Sequence, residues 1–427
     1  MSAASDHGLV RAIGRWSLAL LVINSIIGSG IFGLPSEVAR LLGRNSVWAV
    51  LLAGGAIGIV MACFAEVGSQ FSEAGGPYLY ARKTFGRLLG IEVGWMLWLV
   101  RTAAPAATAN LLVIYLGEFF PSASRPIPRL VALTLLIGSI AIINFFGVRG
   151  GTRTSNIFTI AKLAPLFAVA IGGVVFIAAN GPVTSGIPSG SSWFKALVLL
   201  VFAYGGFETA VTPMAEASNP RRDVSFALLL ALLVCTLLYT AIQWSVIGIL
   251  PDPVHSSRPL AEVARAIMGD HGAAFVSIGA LISVYGYLTA NMLSVPRVTF
   301  ALAANGDFPT VFGAVHPRYR TPYFSIAVYS LFLWCMAVLG SFTWNATLSA
   351  VARLFYYGIV CAALPVLRRR QPEAAQFRLP AGNVLAIVGV LVCAVLITQV
   401  DLSKSLVLLA MISIGLVNWL VVRGKST

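Results

Sequence analysis

The chain has 427 residues, of which 58% are hydrophobic and only 10% charged. A soluble globular domain carries roughly 25% charged residues, and the charge-free runs at 47–63, 164–179, 224–250, 381–399 and 406–422 are long enough to cross a bilayer as helices, so a water-soluble fold is excluded. The formal net charge of +14 would suggest nucleic acid as partner in a soluble protein, but the basic residues sit in short gaps between apolar runs and form no block interleaved with aromatics, which excludes a strand-binding groove.

In chain order, helices are predicted at roughly 16–38, 46–70, 88–118, 128–148, 154–178, 194–216, 224–250, 272–304, 323–341, 345–367, 382–400 and 403–422. The first ten residues include Ser2, Ser5, Asp6 and His7, and no short apolar segment precedes a small-residue cleavage site. The first helix is therefore expected to act as an uncleaved insertion signal. The third and eighth helices exceed the length a crossing needs and are expected to tilt or protrude. No stretch between helices is long enough to fold alone, so residues 1–427 are expected to form a single transmembrane domain.

The first helix carries Gly28-Ser29-Gly30 in the middle of an apolar span. Glycine disfavours a helix interior by up to about 1 kcal/mol, and unwound backbone at membrane depth persists only where it is buried in protein or lines a cavity. The sixth helix repeats the feature at Phe202-Ala203-Tyr204-Gly205-Gly206-Phe207-Glu208. Close packing against a neighbour is the plainer reason for a membrane glycine. Two breaks at similar depth, five helices apart, point instead to the substrate site of a transporter. Five is an odd number, so the second half would sit inverted relative to the first. The repeats would run about 16–178 and 194–367, with two extra helices at about 382–422. Freed N–H groups and a positive helix end attract a carboxylate, and freed carbonyls accept from an ammonium. Such a site suits an α-amino acid.

Twelve crossings place both termini on one side. With a cytoplasmic N-terminus, that side holds Arg82, Lys83, Arg87, Arg149, Arg221, Arg222, Arg318, Arg320 and Arg368-Arg369-Arg370 among others. The bias of Lys and Arg over the opposite side is about two to one, so both termini are expected in the cytoplasm. The five cysteines all lie in apolar runs without metal-ligand spacing and read as packing residues. The four histidines are scattered, so neither a metal nor another cofactor is expected.

These motifs together resemble the amino acid–polyamine–organocation (APC) transporter superfamily over at least the first ten helices. Gly28-Ser29-Gly30-Ile31-Phe32 is similar to its first-helix motif. Ala65-Glu66-Val67-Gly68 with Glu73-Ala74-Gly75-Gly76-Pro77-Tyr78 is similar to its second helix and following loop. Phe202 to Glu208 with Asn219-Pro220-Arg221-Arg222-Asp223 matches its sixth helix and loop. Pro296-Arg297, Asn305-Gly306-Asp307-Phe308-Pro309 and His316-Pro317-Arg318 match its eighth-to-ninth connection. One departure is that Glu216 is followed by Ala217 where the family often has two adjacent acids, which weakens Glu216 as a gate or loop contact.

The resemblance implies an all-α integral membrane fold of about 12 transmembrane helices. The expected plan is a LeuT-like five-plus-five inverted repeat with broken helices 1 and 6, followed by helices 11 and 12. By position, Gly28, Ser29 and Gly30 would bind the substrate carboxylate, and the carbonyls of Ile26, Phe202, Ala203 and Gly205 would face its ammonium. Phe202 would be an aromatic lid. Arg101, Thr102, Pro105, Arg353 and Tyr357 are placed as pocket lining from helix position alone.

Ionisable groups inside spans are functional candidates. Lys162 in the fifth helix either snorkels to the surface or, as the family resemblance implies, takes the place of sodium in sodium-coupled relatives and exchanges a proton. Glu208 is either a protonatable gate residue or the structural partner of an arginine. Arg101 is structural if paired; unpaired and facing the cavity, it would favour an anionic substrate side chain.

The expected function is sodium-independent secondary transport of an α-amino acid, foremost a neutral one, across the plasma membrane of a bacterial cell. Alternating access would be driven by proton symport or amino acid exchange, with the amino acid, the lipid bilayer and protons as partners. Transport of acidic or cationic amino acids or polyamines is the alternative, and a substrate-sensing receptor without transport is the alternative of another class. No nucleophile motif, His–Asp dyad or ligand cluster lies near a membrane face, so no enzyme is expected. The sequence specifies no partner subunit.

Overall fold

A computed structural model of the chain describes residues 14–71, 75–147, 152–183, 191–210, 220–304, 306–372, 375 and 377–423. Among these the regular structure is helical throughout. That is what apolar runs in hydrocarbon require, because a helix pairs each backbone N–H and C=O within its own segment. The helices are α1 (Arg15–Ile26), α2 (Gly30–Leu42), α3 (Ser46–Gly68), α4 (Gly76–Phe85), α5 (Arg87–Leu116), α6 (Pro126–Phe146), α7 (Thr152–Asn180), α8 (Trp193–Tyr204), α9 (Phe207–Ala210), α10 (Pro220–Ile249), α11 (Pro259–Ala304), α12 (Tyr323–Leu339), α13 (Phe342–Arg370), α14 (Gly382–Ile397) and α15 (Leu402–Val422). Among the described residues, 8 helical stretches have the length and apolarity to cross a membrane, and the shorter apolar helices α1, α8, α12 and α14 accompany them.

Side chains are distributed as lipid solvation demands. Leu135, Ile171, Leu237, Leu391 and Leu409 stand exposed on the outer surface, whereas Glu66, Glu208, Asp307 and Arg353 are buried. A water-soluble protein keeps charged groups at its surface instead. The long α13 packs against α5, α14, α8 and α3; α1 lies along α10, and α11 lies along α7 and α5.

The first and sixth predicted helices are interrupted where the glycines stand. Between α1 and α2 the chain leaves the helix at Ile27, which is extended (φ −71, ψ 92). Between α8 and α9 it turns at Gly205 and Gly206. The predicted helix 272–304 is the second part of α11, which begins at Pro259 and turns at Gly269 (φ 71, ψ −164). The first part, with Glu262 and Arg265, reads as a polar loop in the sequence, and so does α4 with Arg82 and Lys83. Motif positions 73–74, 216–219 and 305, including Glu216 and Asn219, lie outside the described residues.

Ion pairs gather beyond the apolar stretches. The Asp307 carboxylate accepts from Tyr78 and Arg82 and, at 2.9 Å, from Arg87 Nε, while Asn418 of α15 donates to the Asp307 carbonyl at 2.7 Å. Burial, and then the bonded Asp307 carboxylate, push the Tyr78 phenol up to about 12, so Tyr78 stays a donor at neutral pH. Glu66, fully buried at the end of α3, receives Arg368 Nε at 2.6 Å and Nη2 at 2.7 Å, and the Leu379 N–H at 2.8 Å.

Removing Arg368 leaves the Glu66 carboxylate buried without its counter-ion, which costs about 3–5 kcal/mol. Arg368→Ala is therefore expected to lower the thermal midpoint in detergent micelles sharply. Arg369→Ala, at an exposed position, should stay within about 0.5 kcal/mol of the parent. Equal midpoints for the two variants would overturn the assignment.

Candidate functional site

The two helix breaks face one another. Gly206 has φ 116, and a Cβ there would stand 2.2 Å from the Ser25 carbonyl oxygen. A Cβ on Gly30 would stand 2.8 Å from Ala203 Cα. The two functions weighed for these glycines, close packing and unwinding, are therefore both present. Gly28 differs, since a Cβ on it would meet nothing nearer than the Ile26 oxygen at 3.9 Å. Beside the breaks lies a cavity of about 600 Å³, lined by both breaks, by one face of α5, by Lys162 of α7, by α11 and by Arg353 of α13.

Side chains from two further helices, α7 and α10, satisfy carbonyls of the unwound backbone. Lys162 Nζ donates to the Asn24 carbonyl at 2.6 Å and to the Ile27 carbonyl at 2.7 Å. Its ammonium therefore bridges the α1–α2 break and does not reach for the surface. The Tyr239 hydroxyl of α10 lies 3.2 Å from both the Ile26 and the Ala203 carbonyl oxygens, one from each break. The Gly205 N–H donates to the Phe202 carbonyl at 3.3 Å. The single Tyr239 proton is shared between Ile26 and Ala203, and Phe202 receives Gly205, so each of the four carbonyls expected to face an ammonium keeps a lone pair for it.

The first N–H groups of α2 have no partner within the helix, and its N-cap Ser29 makes no side-chain cap bond. Ser29 Oγ lies 2.7 Å from Thr108 Oγ1, which donates to the Ala104 carbonyl at 2.8 Å. With that proton on Ala104, Ser29 must donate to Thr108 and shows the cavity only lone pairs. For Ser29 to donate to a carboxylate, Thr108 has to turn its proton onto Ser29.

Glu208 has the arginine partner that was one of its two readings. Its Oε1 accepts from Arg353 Nε at 3.0 Å and from the Tyr356 hydroxyl at 2.9 Å. Its Oε2 accepts from the Gly206 N–H at 2.9 Å and from the Tyr357 hydroxyl at 3.0 Å. Phe202 meets Phe342 edge-on with centroids 6.3 Å apart, and the Arg353 guanidinium carbon lies 5.8 Å from the Phe202 centroid. Phe202 lines the central cavity, whereas Phe342 lines a second one of about 830 Å³ beside Arg129 and α12.

Of the five positions placed as pocket lining, Arg101 and Arg353 do line the cavity. Thr102 is buried with its hydroxyl on the Trp98 carbonyl at 2.7 Å, Pro105 is buried in α5, and Tyr357 serves Glu208. The cavity face of α5 is Leu97, Val100, Arg101, Ala104 and Thr108, one stripe at helical spacing. At 3.6 residues per turn, Thr102 stands about 100° further round from Arg101. Tyr239, Thr108 and Tyr356 were missed by the sequence reading. Thr108 was findable, since it lies two turns from Arg101 on the same face; the two tyrosines carry no local signal. Among the described residues, no three His, Cys, Asp or Glu side chains come together as metal ligands.

Comparison with known proteins covers nearly the whole chain. Residues 13–419 match the profile of a family described as amino acid permease. The methylthioribose transporter of Bacillus subtilis (strain 168) is 27% identical over 416 residues, covering 92% of this chain and 89% of the relative. The branched-chain amino acid permease BcaP of the same organism is 26% identical over an alignment of 446 residues, covering 100% and 96%. Its serine/threonine exchanger SteT is 26% identical over 381 residues, covering 86% and 85%.

The glycines generate a paired prediction. Gly206→Ala forces a side chain into the left-handed region and against Ser25, a strain of about 1–3 kcal/mol or more, and should lower the thermal midpoint in detergent. Gly28→Ala meets open space and should change stability by about 0.5 kcal/mol or less. A Gly28 variant that melts below the Gly206 variant would contradict the geometry.

Proposed function

Because the chain belongs to the amino acid permease family, we propose that it carries an α-amino acid across the plasma membrane by alternating access, with the facing breaks of α1–α2 and α8–α9 as its binding site. It is a multi-pass membrane protein and a transporter, not an enzyme. The transport of amino acids by BcaP and SteT, as their names state, supports the substrate class.

The observation that carries this reading is the pair of unwound turns held face to face beside a cavity. Neither α1 nor α2, at 12 and 13 residues, is long enough to cross alone. Taken together they are read as one interrupted crossing, and α8 with α9 as the described part of a second. Twelve crossings follow, in a LeuT-like inverted repeat of about 16–178 and 194–367 with α14 and α15 outside it, all within one domain. The excess of Lys and Arg places both termini in the cytoplasm.

In the site, the N–H groups at Gly28, Ser29 and Gly30 hold the carboxylate, and the second lone pairs of the Ile26, Phe202, Ala203 and Gly205 carbonyls receive the ammonium. Phe202 and Phe342 close one side as a lid. Glu208, held by four donors, fixes α9 to α13 while Arg353 is in place. Lys162 couples the site to its energy source. Its ammonium is a resident cation on two carbonyl oxygens of the broken helix, where a bound sodium ion would otherwise find its ligands. Loss of that proton would leave a neutral amine that holds Asn24 and Ile27 more weakly, which would loosen α1. Proton symport and amino acid exchange both fit this arrangement; a pH gradient drives the first and a preloaded amino acid the second.

The test is uptake of labelled amino acids by the purified protein in liposomes. Replacing sodium with choline should leave the rate unchanged, and Lys162→Ala should lower it by at least about tenfold, equivalent to ~1.4 kcal/mol. Strict sodium dependence would overturn the role of Lys162. A receptor without transport would bind label but fail to exchange it against an internal load.

A further inference from the structure

We infer that the cavity recognises a second anionic group on its substrate, and that Arg101 binds it. The inference rests on the transporter reading above and narrows its substrate class from α-amino acids at large to acidic ones.

Four charged side chains line the cavity, namely Arg101, Lys162, Glu208 and Arg353. Glu208, the only acid among them, is already held by Arg353, Tyr356, Tyr357 and the Gly206 N–H. Both of its oxygens are taken by these four donors. The Lys162 ammonium sits on carbonyl oxygens, which are dipoles and carry no compensating charge. At Arg101 the backbone carbonyl receives the Tyr329 hydroxyl at 2.9 Å, which fixes that turn of α5. Its guanidinium has no ion-pair or hydrogen-bond partner among the described residues.

A second guanidinium also borders the cavity. Arg353 is only 5% exposed and lines the cavity, yet its Nη1 has no partner among the described residues. Its guanidinium packs directly on Gly205, where a Cβ would stand 2.5 Å from it. The cavity therefore offers the Arg101 guanidinium, unpaired among the described residues, and no acid that is not already held. A cationic substrate meets uncompensated positive charge. A neutral zwitterion matches its carboxylate to the start of α2 and leaves Arg101 without a counter-ion. An amino acid with a carboxylate in its side chain satisfies both.

The spacing fits. Arg101 stands two turns, roughly 10 Å along α5, from Thr108, and Thr108 touches Ser29 at the carboxylate end of the site. A side-chain carboxylate extending from the substrate and a guanidinium extending from Arg101 close that gap together. Arginine suits the task because its planar fork grips a carboxylate through two parallel bonds.

The experiment compares glutamate and aspartate with glutamine and asparagine, which keep the shape and drop the charge, in counterflow by the full-length protein in liposomes. The acidic pair should exchange at least about tenfold faster at low concentration. Arg101→Gln should abolish that preference by lowering acidic exchange while the amides are unchanged or faster, and Arg101→Lys should keep part of it. Exchange of neutral but not acidic amino acids would overturn the inference and leave the transporter reading standing. Failure of every amino acid to exchange would overturn both. An equal loss of acidic and amide exchange in Arg101→Gln would make Arg101 structural and overturn the inference. Should that variant fail to fold, thermal stabilisation of the parent protein decides the matter: glutamate must stabilise it more than glutamine at the same concentration, and equal or weaker stabilisation overturns the proposal.

Discussion

In hydrocarbon no water reaches an unwound turn, and each N–H or C=O left without a partner costs several kcal/mol. The two breaks in this chain exist only because side chains from other helices supply the missing partners. Lys162 of α7 takes the Asn24 and Ile27 carbonyls, Tyr239 of α10 takes Ile26 and Ala203 together, and Glu208 receives the Gly206 N–H while held from α13. The bundle around the site is thus tied to the breaks themselves. A displacement of α7, α10 or α13 cannot leave the breaks where they are.

That arrangement separates two tasks. Backbone atoms of the breaks present an N–H end and a C=O end, which are the same for every α-amino acid. Discrimination among side chains falls to the helices that face the breaks, above all to the stripe of α5 that carries Arg101 and Thr108. The buried Glu208–Arg353 pair belongs to the first task. It ties the start of α9, just after the turn at Gly205 and Gly206, to α13. The second guanidinium, on Arg101, has no ion-pair partner among the described residues and lines the cavity.

Much of this was legible in the sequence, and what was not has physical reasons. The long apolar runs announced the helices, and Gly28-Ser29-Gly30 and Gly205-Gly206 announced the breaks, because two interruptions at similar depth five helices apart are more than packing alone requires. Which glycines also serve close packing was not legible: Gly30 and Gly206 let α2 and α8, and α9 and α1, approach backbone to backbone, which depends on a neighbour far away in the chain. Polar segments such as α4 and the start of α11 escaped, since their helicity is set by packing and not by an apolar run. Partnerships across the bundle escaped for the same reason. Glu208 lies 145 residues from Arg353, and Lys162 lies 138 residues from Asn24. Thr102 and Pro105 were placed from helix position alone, and the cavity stripe of α5 is Leu97, Val100, Arg101, Ala104 and Thr108 instead.

The central claim, that the paired breaks are the substrate site, is tested most directly by a structure of the protein determined with an amino acid bound. The substrate carboxylate should lie about 3 Å, hydrogen-bonding distance, from N–H groups at Ser29 and Gly30, with its ammonium on carbonyls of the two breaks. An amino acid seated instead in the crevice beside Arg129 and Phe342, with the turns at Gly28 and Gly205 empty, would contradict it.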